Sequence, residues 1–172
     1  VKVKAEDLGL EVFQPGDINS TEAIDKLREV QADIIVVVAY GQILTQEIID
    51  LPEKYIVNVH ASLLPYLRGA APINRAIMEG HDKTGVSLMK VERGLDAGPV
   101  SSVREIEIGD MNAGELEEKL AKMGADLLEE FILEAEKGPV DFVDQDEDKK
   151  TYASKILKND LNLDFNDTSK NI

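Results

Sequence analysis

Cysteine and tryptophan are absent from this 172-residue chain, aromatic residues make up only 5%, and there are two histidines. The missing cysteine excludes disulfides and thiolate chemistry and fits a reducing compartment, the cytoplasm. Two histidines without a thiol leave little from which to build a zinc site, so no metal is expected. Positive charge is scarce too: 19 Lys and Arg against 34 Asp and Glu give a net charge of −15. Phosphate contacts draw on clustered Lys and Arg. No basic stripe is visible, so a nucleic-acid partner has to touch other surfaces or another domain. The acidic residues gather after position 104, as in Glu115-Leu116-Glu117-Glu118, Glu129-Glu130 and Asp144-Gln145-Asp146-Glu147-Asp148. They read as a solvated helix face and a solvated turn. No apolar run approaches the roughly 20 residues of a membrane helix. No signal-peptide pattern opens the chain, and there is neither an internal repeat nor a low-complexity tract.

What is present is one ordinary globular domain, with 43% hydrophobic side chains to fill its core. The start, Val1-Lys2-Val3-Lys4, is a short amphipathic segment without an initiator Met and looks like the interior of something longer. Leu10 to Phe13 reads as a short strand and Pro15-Gly16-Asp17 as a turn. Ser20 or Thr21 can cap a helix through about Val30, with Ala23, Ile24, Leu27 and Val30 on one face. Ile34 to Val38 is an unbroken β-branched run, the pattern of a parallel strand covered on both faces. Thr45 can cap a short helix to Asp50, and Ile56 to Val59 is the next strand. Strand, helix, strand predicts a parallel βαβ unit whose loop after Val38 shares a crevice with the end of the second strand.

Beyond it, Pro72 opens a helix to about Glu79 and Gly80 ends it. Lys83 to Val91 and Val100 to Ile108 read as strands, the second with an irregular start. The periodicity predicts a long helix from about Asn112 to Lys137 that buries Leu116, Leu120, Met123, Leu127, Leu128 and Phe131. Gly138-Pro139 stops it, and Val140 to Val143 suits a small edge strand. Asp144 to Lys150 reads as a solvent-exposed turn. The tail holds Leu157, Leu161, Leu163 and Phe165 without a clean period and reads as a linker.

Polar residues punctuate this frame at one place. Asn58 and His60 lie two apart on a strand, so their side chains leave it on one side, at the carboxyl end where open α/β sheets place ligands. His60 alone could be a satisfied buried histidine, and Asp96, within Gly94-Leu95-Asp96-Ala97-Gly98, an ordinary turn aspartate. The Tyr40 to Leu44 segment is most simply a strand-to-helix connection. Arg68 is a single cation near the rim, and His81 follows a helix-ending glycine and reads as exposed.

Together these stretches carry a resemblance. Asn58-Val59-His60 followed by Ser62-Leu63-Leu64-Pro65, then Arg68-Gly69-Ala70-Ala71-Pro72-Ile73 and Gly94-Leu95-Asp96-Ala97-Gly98, resembles the folate-dependent formyltransferases, above all the branch whose acceptor is methionyl initiator tRNA. Val36 to Leu44 and Thr151-Tyr152-Ala153-Ser154-Lys155-Ile156 are similar to that family's segments as well. The resemblance implies an α/β, Rossmann-like formyltransferase fold with a mostly parallel sheet, and an enzyme that moves a formyl group from 10-formyltetrahydrofolate to an amine. Such a reaction passes through a tetrahedral oxyanion and needs donors fixed where the charge develops. By resemblance Asn58 and His60 supply them, while Asp96 partners the imidazole and accepts the amine's proton, directly or through water. The folate site would be lined by Tyr40, Gly41, Gln42, Ile43 and Leu44 with Gly94 and Leu95. Substrate would be met by Ser62, Leu63, Leu64, Pro65, Arg68 and Gly69.

The resemblance has departures. The family's catalytic domain opens with a Gly-containing βαβ portion, including a loop used on the tRNA acceptor end, and nothing here corresponds to it. Its carboxyl-terminal β-barrel, which also binds tRNA, has no counterpart either. Residues 1–143 are therefore expected to form a partial catalytic core, and 144–172 an acidic turn and linker toward an absent barrel. Methionyl initiator tRNA would be held mainly by parts outside this chain, which is expected to be a monomer. Asp96-Ala97-Gly98-Pro99 is closer to glycinamide ribonucleotide formyltransferases than the usual Asp-Thr-Gly. Two alternatives stay open: a formyltransferase acting on an amino sugar or a purine precursor, and a folded but inactive fragment.

Overall fold

The computed structural model describes residues 1–162. Its elements in chain order are α1 (Lys2–Asp7), α2 (Thr21–Val30), β1 (Ile34–Val38), α3 (Gln46–Ile49), β2 (Tyr55–His60), β3 (Arg68–Gly69), α4 (Pro72–Met78), β4 (Lys83–Lys90), β5 (Val100–Glu107), α5 (Ala113–Ala135) and β6 (Tyr152–Ala153). The main sheet runs β1-β2-β4-β5, and β3 pairs with β6 in a two-residue ladder. β1 and β2 are parallel, with Val38 opposite Val59, as the strand-helix-strand pattern predicts. β4 then runs antiparallel to β2, and β5 antiparallel to β4. The α/β fold stands, and within the described sheet its parallel character is confined to β1 and β2. For β5 the reason is the connection: β4 and β5 are neighbours joined as a hairpin, and a direct return of that kind reverses direction. The irregular start read at Val100 is a β-bulge, since Leu88 faces Ser102 while Met89 faces Val100 and Ser101 is the extra residue.

Two helical layers cover the sheet. On one face Val57, Val86 and Leu88 pack with Leu116, Leu120, Leu127 and Phe131 of α5. That helix starts as its sequence dictates: Asn112 accepts from the Gly114 and Glu115 amides, and Glu115 returns a bond to the Asn112 amide. On the other face Ile56 packs with Ile24 of α2 and Ile48 of α3. Ser20 caps α2 through the Ala23 amide. Thr45 precedes α3, but its side chain makes no capping bond. Asn19 instead accepts from the Thr45 amide and donates to the Ile43 carbonyl, so a residue far back in sequence sets that helix start.

Several expectations are corrected. Residues 10–13 form no strand, since no described strand pairs with them and Leu10 and Phe13 stay exposed. β1 is not covered on both faces: Val38 is 57% exposed, because α5 packs on β2, β4 and β5. Residues 140–143 make a single bridge, Val100 to Val143, in place of an edge strand. Residues 144–150 are mostly exposed, as expected of a turn. Gln145 and Glu147 nonetheless bond the buried Arg68, Glu147 from a half-exposed position, and β6 docks on β3 with Arg68 opposite Tyr152. Of the tail's apolar residues, Leu163 and Phe165 lie outside the described residues.

Candidate active site

The site forms where β2 ends. Its odd-numbered residues, Tyr55, Val57 and Val59, face α5, so Asn58 and His60 leave on the face of Ile56. Asn58 is half-buried between Val37 and Met89 in the ladders, and His60 is 6% exposed opposite Ser87. His60 Nε2 lies 3.0 Å from the Leu67 carbonyl oxygen. A carbonyl can only accept, so Nε2 carries a proton and the other ring nitrogen, Nδ1, is left to face the site. Nδ1 is 3.7 Å from Asp96 Oδ2, beyond a direct hydrogen bond and within reach of one bridging oxygen.

The Leu67 carbonyl is itself held firmly. Ser87 Oγ donates to the Ser62 carbonyl and accepts from the Leu64 amide, and Ser62 Oγ donates to the Tyr66 carbonyl. Thr151 Oγ1 accepts from the Leu67 amide. This wiring ties the Ser-Leu-Leu-Pro run and the residues after it to β4 and to Thr151. Ser62 is fully buried with its hydroxyl engaged by the Tyr66 carbonyl.

Asp96 arrives by an unexpected route. The loop 91–99 leaves β4 at the wrong end for a successive βα crossover, with the Val91 amide bonded to Ile56, four residues before His60. It must fold back about 13 Å along β2 to bring Asp96 to the histidine. Three contacts hold it there. Asp96 Oδ2 accepts from the Gly69 amide at 2.8 Å. Gln145 Nε2 donates to the Asp96 and Gly98 carbonyls at 2.8 and 2.7 Å. Gly98 lies so close to β4 that a Cβ there would stand 1.9 Å from the Lys90 carbonyl oxygen. Asp96 pays for this placement with φ +47°, a left-handed conformation that aspartate tolerates better than most residues.

Arg68 is 2% exposed, so it is not the rim cation the sequence suggests. Its Nε and Nη2 both donate to Gln145 Oε1, and Nη2 also meets Glu147 Oε1 at 2.7 Å. The hydrogen bond from Arg68, seconded by Lys150, draws the Glu147 carboxyl down from 4.5 to about 2. Gln145 and Glu147 were concealed in the acidic run, where nothing in the local pattern separates an anchor from a solvated charge.

The remaining expected residues fall into two groups. Tyr40, Gly41 and Ile43 are exposed on the loop after β1, with Ile43 at 90%, and Gly94 and Leu95 are exposed on the Asp96 loop. Gln42 is occupied, accepting from the Ile18 amide and donating to the Gly16 carbonyl, and Leu44 packs into the α2–α3 cluster. Gly69 gives its amide to Asp96, and Leu63, Leu64 and Pro65 are half-buried. A groove of about 500 Å³ is lined by Gln46, Ile49, Ile56, Lys90, Val91 and Arg93, without His60 or Asp96. A second, of about 320 Å³, touches Leu63, Leu67 and Thr84. Among the described residues no cluster of three or more His, Cys, Asp and Glu is placed to hold a metal. No described helix is long and apolar enough to cross a membrane.

Comparison with known proteins adds a family. The profile of the formyl transferase family matches residues 2–132. A methionyl-tRNA formyltransferase from Sulfurihydrogenibium sp. (strain YO3AOP1) is 48% identical over 174 residues, covering 100% of this chain and 56% of its own length. The solved methionyl-tRNA formyltransferase from Clostridium thermocellum superposes with a TM-score of 0.66 at 20% identity, over 88% of this chain and 63% of that one. HypX from Aquifex aeolicus, solved in complex with tetrahydrofolic acid, superposes with a TM-score of 0.75 at 19% identity, over 87% of this chain and 27% of that one. The two structures speak to the fold. The chain spans a little over half the length of the curated relatives it matches, 53% of one and 56% of another.

Proposed function

Because this chain belongs to the formyl transferase family, we propose that it supplies the catalytic centre for formyl transfer from 10-formyltetrahydrofolate to the amino group of methionyl initiator tRNA. The observation that carries the reading is the His60–Asp96 pair: an imidazole whose Nε2 is committed to a carbonyl, with Nδ1 3.7 Å from a carboxylate. The name of the 48% identical relative supports the acceptor, and the tetrahydrofolate bound to HypX supports the donor. The exposed apolar side chains Ile43 and Leu95, on the two loops flanking the site, suit the flat face of a pterin.

The donor brings a formyl carbon bonded to a folate nitrogen, which is the leaving group. The chain's residues do the rest. The Asn58 amide and a protonated His60 Nδ1 are donors for the carbonyl oxygen as it becomes negative. The Asp96 carboxylate orients the ring and takes the proton that the attacking amine must lose once its new bond to carbon forms, and that proton passes to the folate nitrogen as the nitrogen's bond to the formyl carbon breaks. At 3.7 Å no atom fits between ring and carboxylate, but a water lying beside the pair can touch both Nδ1 and Oδ2. With a net charge of −15, this chain is proposed to leave most tRNA phosphate contacts to other surfaces.

An acceptor panel tests the reading in the full-length protein. Methionyl-tRNA should be formylated from 10-formyltetrahydrofolate, while an amino-sugar nucleotide and glycinamide ribonucleotide should not. Preference for either small amine would replace the acceptor, and no transfer to any of the three would sink the reaction.

A further inference from the structure

We propose that Gln145 is the positioning residue for Asp96, and that Arg68 and Glu147 are present to fix its orientation. The inference rests on the reading of Asp96 as the proton acceptor. Asp96 lies in a loop that has doubled back along the sheet, in a left-handed conformation that costs free energy on its own. Something outside the loop has to hold it. The Gln145 side chain does so by donating both hydrogens of its amide, one to the Asp96 carbonyl and one to the Gly98 carbonyl, so that it spans the peptide between them.

Gln145 can do this only in one of its two amide orientations. Turned over, Oε1 would confront two carbonyl oxygens and Nε2 would confront a guanidinium. Arg68 removes that option, because its Nε and Nη2 both point at Oε1. Burying a guanidinium at 2% exposure is expensive unless its charge is met. Glu147 meets it at 2.7 Å from a half-exposed position. The order of dependence is thus Glu147 to Arg68, Arg68 to Gln145, Gln145 to the Asp96 loop. The same strand that carries Arg68 carries Gly69, whose amide holds the Asp96 carboxylate. One two-residue strand therefore governs both the backbone and the side chain of Asp96.

The test is made in the full-length protein with Gln145→Glu, Gln145→Ala and Asp96→Asn. Gln145→Glu keeps the shape and the contact to Arg68 but has no hydrogen to donate, and it sets a carboxylate against two carbonyls. We expect kcat to fall about 10- to 100-fold, the scale set by displacing a reacting group by about 1 Å. KM for the formyl donor should change less than about threefold on the same reasoning. The acid limb of the kcat–pH profile should move, because the Asp96–His60 distance changes, and a merely structural role would not move it. Amide exchange at Ala97 and Gly98 should accelerate in Gln145→Ala, which is read in the same way should Gln145→Glu not fold. An inactive Asp96→Asn beside Gln145 variants with normal kcat, pH profile and exchange would overturn the clamp alone. A fully active Asp96→Asn would overturn the function on which it rests.

Discussion

At the scale of single residues, the chemistry is concentrated in a few groups whose hydrogen bonds are already committed. His60 has one nitrogen spent on Leu67, so in the proposed reaction only Nδ1 is free to act. Asp96→Asn should retain the fold, since an amide oxygen can still accept from Gly69, while turnover falls on the order of 100-fold or more. Steady-state kinetics with circular dichroism as the folding control check it, and near-normal turnover would remove Asp96 from the mechanism. Glu147 gives a second prediction. Its carboxyl, drawn down to about 2 by Arg68, is a depressed acid, so the stability it contributes is present above its ordinary value of 4.5 and lost as pH falls toward 2. Wild type and Glu147→Gln should differ by a constant amount in denaturant midpoint at neutral pH and converge between pH 4.5 and 2. A gap that persists unchanged at the acid end would show that Glu147 acts by packing and not by charge.

At the scale of elements, the hairpin between β4 and β5 decides whether the site exists. Its loop must lie on the sheet closely enough that Gly98 has no space for a side chain, with a Cβ falling 1.9 Å from the Lys90 carbonyl oxygen. The obstacle is backbone and cannot swing aside. Gly98→Ala should therefore lift the loop, carry Asp96 away from His60, and lower turnover about 100-fold through misplacement. The remote helix α5, capped at Asn112 and packed on the opposite face, should be untouched. Hydrogen exchange by element checks this division: protection lost over 91–99 with α5 intact is the expected pattern. Equal loss in both would mean that the loop belongs to the core and not only to the site.

For the molecule as a whole, charge and exposed edge set the behaviour. A net charge of −15 opposes the polyanionic acceptor proposed above, and β1 presents Val36 and Val38 to solvent at the border of the described sheet. The 172-residue chain by itself is expected to formylate methionyl-tRNA at no more than about one hundredth of the rate of a full-length relative, because counterion release contributes so much of nucleic-acid affinity. Adding salt should weaken whatever transfer remains only slightly, since few phosphates are neutralised. Robust formylation by this polypeptide with a steep salt dependence would show that the acidic surface hides a phosphate site.

The sequence by itself determined the elements whose signals are local. The start of α5 near Asn112, the apolar stripe of α5, the β-branched run of β1 and the shared parity of Asn58 and His60 each depend on neighbours within a turn or two, so their pattern survives without the fold. The irregular spacing after Val100 even announced the bulge. Only the tertiary structure decided the direction of β4, the folding back of the Asp96 loop, and the burial of Arg68. It also converted part of an acidic run into the support of the site: Gln145 lies 77 positions from the arginine it orients against and 49 from the aspartate it holds. Those facts depend on pairings between residues far apart in the chain, where what matters is which donor meets which acceptor after packing has excluded water. A local pattern carries no record of that meeting.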